Sequence, residues 1–146
     1  MTSARGGGRM AGVSDWNQQI IDEFRANEGR VGGPFEGAPL LLIHHLGRKS
    51  GTERVTPMMY QAVGDDLAVF ASYAGEDVHP AWYHNLLANP DVTAEVGTET
   101  VALHARDLPA DERAPIWEKQ KADYPGFAGY EQKTSRTIPV VLLERR

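Results

Sequence analysis

The sequence predicts a mainly β, α+β domain: a small barrel with helices over its openings. Three observations carry that expectation. Short apolar or alternating runs recur through the chain, most of them too short for a typical helix. Glycine-bearing turns separate them, and such short links favour antiparallel pairing. Helical patterns appear only at the start, once in the middle and near the end, so the helices decorate a sheet rather than alternate with its strands. At 146 residues, the chain fits one domain with one core.

The elements follow in order. Residues 1–12 are glycine-rich with two arginines and no core pattern, which predicts a disordered tail ahead of a single domain over 13–146. Ser14 is placed to cap a helix over Asp15–Ala26, where Trp16, Ile20, Ile21 and Phe24 share a face. Covering the sheet is the favoured role for that face; peripheral membrane contact is the alternative, against which the lack of a lysine fringe counts. Asn27–Gly37 reads as a loop able to drape over a site. The apolar run Ala38–His45, then Val55–Gln61 and Leu67–Ser72, read as strands. A helix starts at Asp77–Pro80, with Pro80 in its first turn, and stops before Pro90. Val92–Val96 and Thr100–Ala105 form a hairpin about Gly97. Pro109–Lys121 and Phe127–Lys133 read as helices, and Ile138–Glu144 closes the chain as the sixth strand.

Composition narrows the function. Charged residues make up 24% and hydrophobic ones 41%, as in ordinary globular proteins, and the formal charge is -5. That balance argues against bulk affinity for nucleic acid, although a local basic patch survives it. With no cysteine, disulfides and thiolate chemistry are excluded. No run approaches a membrane span and no signal-peptide pattern opens the chain, so the expected location is cytoplasmic, with a membrane-peripheral position through the first helix as the variant. The histidines lack metal-ligand spacing: His44 and His45 point to opposite faces of a strand, and no metal site is expected. Structural or solvent roles are assigned to them.

The strongest local signal is Gly47-Arg48-Lys49-Ser50-Gly51, followed by Arg54. Three cations converge within seven residues on a turn between strands, offset only by Glu53. Guanidinium forks match phosphate and carboxylate oxygens, so the turn suits an anionic ligand; a solubilising charged loop is the plainer reading. The spacing is not that of a P-loop, and no nucleophile-elbow serine occurs. Trp82 and Asn85 share a helix surface with Leu86. Tyr124, Phe127 and Tyr130 recur at intervals of three beside Lys133 and Arg136. They form either a core stripe or a lid whose rings sandwich a planar ligand and whose hydroxyls hydrogen-bond to it.

Together, Gly47–Gly51, Arg54-Val55-Thr56-Pro57, Pro80-Ala81-Trp82-Tyr83-His84-Asn85-Leu86, Ala88-Asn89-Pro90 and Arg136-Thr137-Ile138-Pro139 resemble the deazaflavin-dependent nitroreductase family, in order and spacing, over about residues 15–144. The resemblance implies a split β-barrel of the FMN-binding, pyridoxamine-phosphate-oxidase-like kind, here using the 5-deazaflavin coenzyme F420. It implies that Arg48, Lys49 and Arg54, on the turn with Ser50 and Gly51, hold the anionic tail. Thr56, Pro57 and Met58 would lie along the deazaflavin, with Ala71 and Ser72 at the end of the next strand and Trp82 and Asn85 approaching from the helix. Tyr124, Phe127 and Tyr130 would wall the substrate side, with Tyr130, or else Ser72 or Tyr124, stabilising or protonating the reduced acceptor. The implied activity is hydride transfer from reduced F420 to a small-molecule acceptor, a quinone, enone or nitro compound, by a monomer or homodimer. Two departures from the pattern are Tyr73, where relatives often carry lysine, and Phe127, where nitroreductive members carry tyrosine. The rival readings are an FMN- or haem-binding barrel and a non-enzymatic F420 carrier.

Overall fold

The computed structural model describes residues 13–33 and 37–146, with side chains from Trp16 onward. The expected tail over 1–12 and residues 34–36 of the predicted draping loop lie outside it. Helix α1 spans Val13–Ala26. Ser14 therefore sits inside the helix rather than at its cap. Strands β1 (Leu40–Leu46), β2 (Glu53–Met59), β3 (Gln61–Val63) and β4 (Asp66–Phe70) follow, then a 3₁₀ turn at Tyr73–Gly75 and α2 (Ala81–Ala88). The hairpin β5 (Asp91–Val96) and β6 (Glu99–Asp107), helices α3 (Ala110–Asp123) and α4 (Gly126–Lys133), and β7 (Val140–Arg145) complete the chain.

Seven strands form one antiparallel sheet in the order β2-β1-β5-β6-β7-β4-β3. Six were expected, because Val55–Gln61 reads as one run. It is divided at Tyr60, whose N–H makes a last bond on the β1 side, to the Pro39 carbonyl; from Gln61 the chain pairs with β4, so β2 pairs with β1 while β3 pairs with β4. That division shapes the whole molecule. The two ends of the strand order are joined by a single residue, so the sheet must curl back on itself into an open barrel.

Strand alternation then divides the core. Leu41, Ile43, Leu67, Val69, Val141 and Leu143 face inward, where Tyr83 and Leu86 of α2 close one end. The opposite faces of β1 and β2 carry α1, through Leu40, Leu42, Ile20, Ile21 and Phe24. The opposite faces of β4 and β7 carry α3 and α4, through Ala68, Phe70, Val140, Leu142 and Trp117. The apolar face of α1 is thus used up on the sheet, apart from Trp16, which remains half-exposed at its start. Arg25 of α1 locks the arrangement with two hydrogen bonds to Glu95 of β5, at 3.0 and 2.7 Å. Among the described residues no helix is long and apolar enough to cross a membrane.

Three further boundaries differ from expectation. α2 begins at Ala81, with Pro80 extended at its cap, because a residue preceding proline disfavours the helical region and residues 77–79 are engaged elsewhere. Asp77 accepts from the Thr134 hydroxyl at 2.8 Å, and His79 Nδ1 accepts from Arg136 at 2.9 Å. β4 stops at Phe70 rather than Ser72, where the chain turns away into the 3₁₀ turn. β7 begins at Val140, just after Pro139, rather than at Ile138, and lies between β6 and β4.

Candidate active site between the basic turn and α2

The basic turn is built by its glycines. Gly51 adopts φ +70°, a left-handed conformation that a side chain would strain, and its N–H returns to the Gly47 carbonyl at 2.8 Å. Gly47 has no room for a side chain, since a Cβ there would come within 2.6 Å of Ser50 Oγ. Ser50 Oγ also accepts from the Thr52 N–H at 3.2 Å. The turn is tied to α2 by the Arg48 N–H, which donates to Asn85 Oδ1 at 2.9 Å.

Between the turn and α2 opens a cavity of about 740 Å³. Its basic wall is Arg48, Lys49, Ser50 and Arg54; its other wall is Thr56, Trp82 and Asn85. Seven of the expected coenzyme contacts are thus brought together on one cavity. Six contributors were not expected as such: Asn17 from α1, Tyr73 at the rim, His45 with Gly47 from β1 and the turn, and Pro80 with Ala81 at the start of α2. Of the remaining expected coenzyme contacts, Gly51 shapes the turn, and Met58 packs against the inner core with Trp82. Pro57 lies between Thr56 and Met58 on β2, Ala71 is fully buried, and Ser72 leads into the 3₁₀ turn.

The electrostatics favour an anion. Glu53, the one carboxylate in the turn, lies 3.4 Å from His44 on the outer face of β1. Among the described residues, Arg48, Lys49 and Arg54 have no carboxylate partner. Three unneutralised cations on one cavity wall repel one another until an anion arrives.

His45 lies beneath this cavity, 3% exposed, on the face of β1 opposite His44. Its Nε2 is 2.8 Å from Thr56 Oγ1 and its Nδ1 is 3.1 Å from Asn85 Nδ2. Burial, with Arg54 and His44 nearby, pushes its pKa down to about 4, so the ring is neutral at physiological pH. Treating all five histidines alike hid this one. The clue lay in the alternation that sets His45 in line with the inward Leu41 and Ile43.

The rim is held under strain. Tyr73, Ala74 and Gly75 all have positive φ, at 47°, 53° and 80°. Two consecutive non-glycine residues in that region persist only where their surroundings enforce it. Arg136 is the enforcing group: it donates to the carbonyls of Ala71, Ser72 and Glu76, as well as to His79. The Arg-Thr-Ile-Pro motif thereby fixes the end of β4 and presents Tyr73, half-exposed, to the cavity.

The aromatic stripe lies elsewhere. Phe127 packs on Phe70, Trp117 and Tyr130, with ring centroids 5.8, 6.1 and 5.4 Å apart, and so joins the α3/α4 core. Tyr124 borders a separate hollow of about 300 Å³ beside Tyr60 and Gln61. None of the three lines the basic cavity. Tyr130 approaches the rim through its backbone, which faces Gly75. A larger hollow, about 870 Å³, runs along the end of α1 and is bordered on both sides of residues 34–36. It lies away from the basic turn.

The chain is similar to several known proteins. A solved F420-H2-dependent reductase, FDR-A, is 37% identical and superposes with a TM-score of 0.67, covering 73% of this chain and 94% of its own. A second solved relative, a domain-swapped dimer, is 34% identical with a TM-score of 0.68, covering 90% and 98%. At 11% identity, a pyridoxamine 5'-phosphate oxidase-like protein of Listeria innocua (TM-score 0.55, covering 88% of this chain and 92% of its own) shares the fold alone, that of a split barrel. An F420H(2)-dependent quinone reductase of Mycobacterium tuberculosis is 39% identical over 127 residues, 84% of this chain and 85% of that protein. The profile of the F420H(2)-dependent quinone reductases matches residues 16–145, and the chain belongs to that family of F420-dependent oxidoreductases.

Proposed function

We propose that the cavity between the basic turn and α2 is where this protein holds coenzyme F420 while a quinone-type acceptor is reduced. The observation that carries the reading is the wall of three cations without carboxylate partners, facing Thr56, Trp82 and Asn85. A coenzyme with a phosphodiester and an oligoglutamate tail has the anions such a wall lacks, and each charge-assisted hydrogen bond is worth roughly 1.5–3 kcal/mol. Arg48, Lys49 and Arg54 would grip the tail, with Ser50 and Gly51 shaping the turn beneath it. Trp82, Asn85 and Thr56 would flank the ring system, and Pro57 and Met58 of β2, with Ala71 and Ser72 just beyond β4, would support it.

Reduced F420 supplies hydride from a carbon that replaces the reactive nitrogen of ordinary flavins, which makes it slow toward oxygen. The chain's own residues supply the rest. The clamp by Arg136 holds the Ser72–Gly75 turn rigid, so an acceptor beside it meets a preorganised surface. Tyr130 and Ser72 flank that turn and are the candidates to hydrogen-bond or protonate the acceptor oxygen. Tyr124, from its separate hollow, is the third, and Phe127 would contribute only its ring. Assembly as a homodimer is supported by the domain-swapped relative. A cytoplasmic location fits such an enzyme, and the burial of Ile20, Ile21 and Phe24 removes the apolar face that membrane contact would need.

The deciding experiment is titration of the purified protein with oxidised F420, FMN and haem side by side, followed by turnover with a quinone. Micromolar or tighter binding of F420, much weaker binding of the others, and steady-state reduction are expected. FMN binding as tight as F420 overturns the coenzyme assignment, and tight F420 binding without turnover makes the protein a carrier.

A further inference from the structure

We infer that His45 is a positioning residue: through Asn85 and the Arg48 backbone it commits the Thr56 hydroxyl to donate its hydrogen into the cavity, so the bound ligand must present an acceptor atom there. The inference rests on the coenzyme site proposed above and assigns a task to a histidine that the family motifs used here do not include.

The direction of every bond follows from one group whose role is not adjustable. A backbone N–H can only donate, so the atom of Asn85 lying 2.9 Å from the Arg48 nitrogen is the amide oxygen. The other end of that amide, Nδ2, is therefore what meets His45 Nδ1 at 3.1 Å. An NH2 group can only donate, so Nδ1 accepts and carries no hydrogen. The single hydrogen of a neutral ring then resides on Nε2, 2.8 Å from Thr56 Oγ1, and the threonine oxygen accepts it. The hydroxyl's own hydrogen cannot point back at an N–H. Among the described residues no protein acceptor takes it, while the side chain lines the cavity.

Two features hold this order. A second ring proton on Nδ1 would face the Asn85 NH2, donor against donor. Burial and the neighbouring Arg54 and His44 disfavour the charged ring as well. The chain also crosses three elements, β1, β2 and α2, and ends in the basic turn. Its geometry therefore depends on the turn that carries Arg48 and Lys49. The recognised atom is an uncharged ring carbonyl or nitrogen of the deazaflavin, or an oxygen of its phosphodiester; both are acceptors.

The test has a spectroscopic arm and a binding arm. In protein labelled with ¹⁵N at the imidazole, His45 without ligand is expected as the Nε2–H tautomer throughout pH 6–8. Thr56→Val should weaken F420 binding by about 5–10-fold, the range of one hydrogen bond, while Thr56→Ser stays within about 2-fold of wild type. His45→Gln, whose amide can accept from Asn85 and donate to Thr56, should also stay close. His45→Leu should weaken binding, and adding it to Thr56→Val should cost little more. Equal losses for F420 and for a tail-less deazaflavin assign the acceptor to the ring; a loss for F420 alone assigns it to the phosphodiester. Thermal melts verify folding, and if His45→Leu does not fold, the Thr56 pair and the wild-type spectrum decide. An Nδ1–H tautomer overturns the inference. So does wild-type affinity in Thr56→Val when Arg48→Ala/Lys49→Ala has lost it. If that basic double variant binds like wild type, the coenzyme site itself is wrong.

Discussion

Two regions bring aromatic rings and cations together, and they do so with opposite results. Around α3 and α4, Phe127 packs edge to face on Trp117 and Phe70, and the charged groups find partners within the chain. Glu131 accepts from Trp117 Nε1 at 2.7 Å and from Lys121 at 2.9 Å, while Arg113 donates to the Ile138 carbonyl. Between the basic turn and α2, Trp82 and Tyr73 border a cavity, and Arg48, Lys49 and Arg54 face it without carboxylates. The first region has satisfied its groups with one another and stabilises the fold. The second leaves charge and hydrogen-bonding capacity for something outside the chain. Residue type does not distinguish them; the pairing of the charges does.

The contrast is broken most directly by one substitution in each region. Trp117→Ala removes a ring that is 1% exposed and should cost about 3–5 kcal/mol in a denaturant melt, while F420 affinity of the folded molecules stays near wild type. Arg48→Ala/Lys49→Ala should do the reverse: a melt close to wild type, and F420 binding weakened about 10²-fold or more, with little loss for a tail-less deazaflavin. Added salt should weaken the wild-type complex more than that of the variant. Matching stability losses, with affinity intact, would make the basic turn another structural region.

Tyr130→Phe probes the border between the two regions, since its ring joins the α3/α4 cluster and its backbone faces the strained turn. If the hydroxyl serves the acceptor, kcat with a quinone should fall by about 10²-fold, with the melt unchanged. A shift of about 1 kcal/mol in stability with kcat intact would place Tyr130 wholly in the packed region.

The smallest effect is pH-dependent. In the unfolded chain His45 titrates near 6.5, whereas in the fold its pKa is about 4. Between those values the unfolded chain binds more protons, so His45 makes stability fall as the pH drops from 6.5 toward 4, by at most about 1.4 kcal/mol per pH unit. The slope fades as the pH rises through 6.5 and vanishes well above it, where neither state holds the proton. His45→Gln should remove that part of the slope, measured by denaturant melts at pH 7, 6 and 5. An identical slope in the variant would assign the acid sensitivity to other groups. Among these are His79, whose pKa burial also lowers, and Glu95 and Glu131, held below the usual carboxylate range by hydrogen bonds from Arg25 and Lys121 respectively.

Much of the molecule was legible in the sequence by itself, wherever the cause is local. The glycines of the basic turn, the apolar run of β1, the pattern of the β5/β6 hairpin and the apolar face of α1 each act within a few residues, and each predicts its element. The cluster of cations at Arg48, Lys49 and Arg54 is likewise a matter of adjacency, and so pointed to an anion before any fold was known. What only the tertiary structure decided concerns groups far apart in the chain. One apparent strand is split at Tyr60 because the chain's pairing partner changes there from β1 to β4, and only the curl of the sheet requires that. Glu53 leaves the basic turn unneutralised because strand alternation turns it toward His44. The role of His45 depends on Asn85, forty residues later, and on the one backbone N–H that orients the amide between them. Hydrogen-bond direction is a property of the assembled network, so no spacing in the chain could have revealed which way that hydroxyl points.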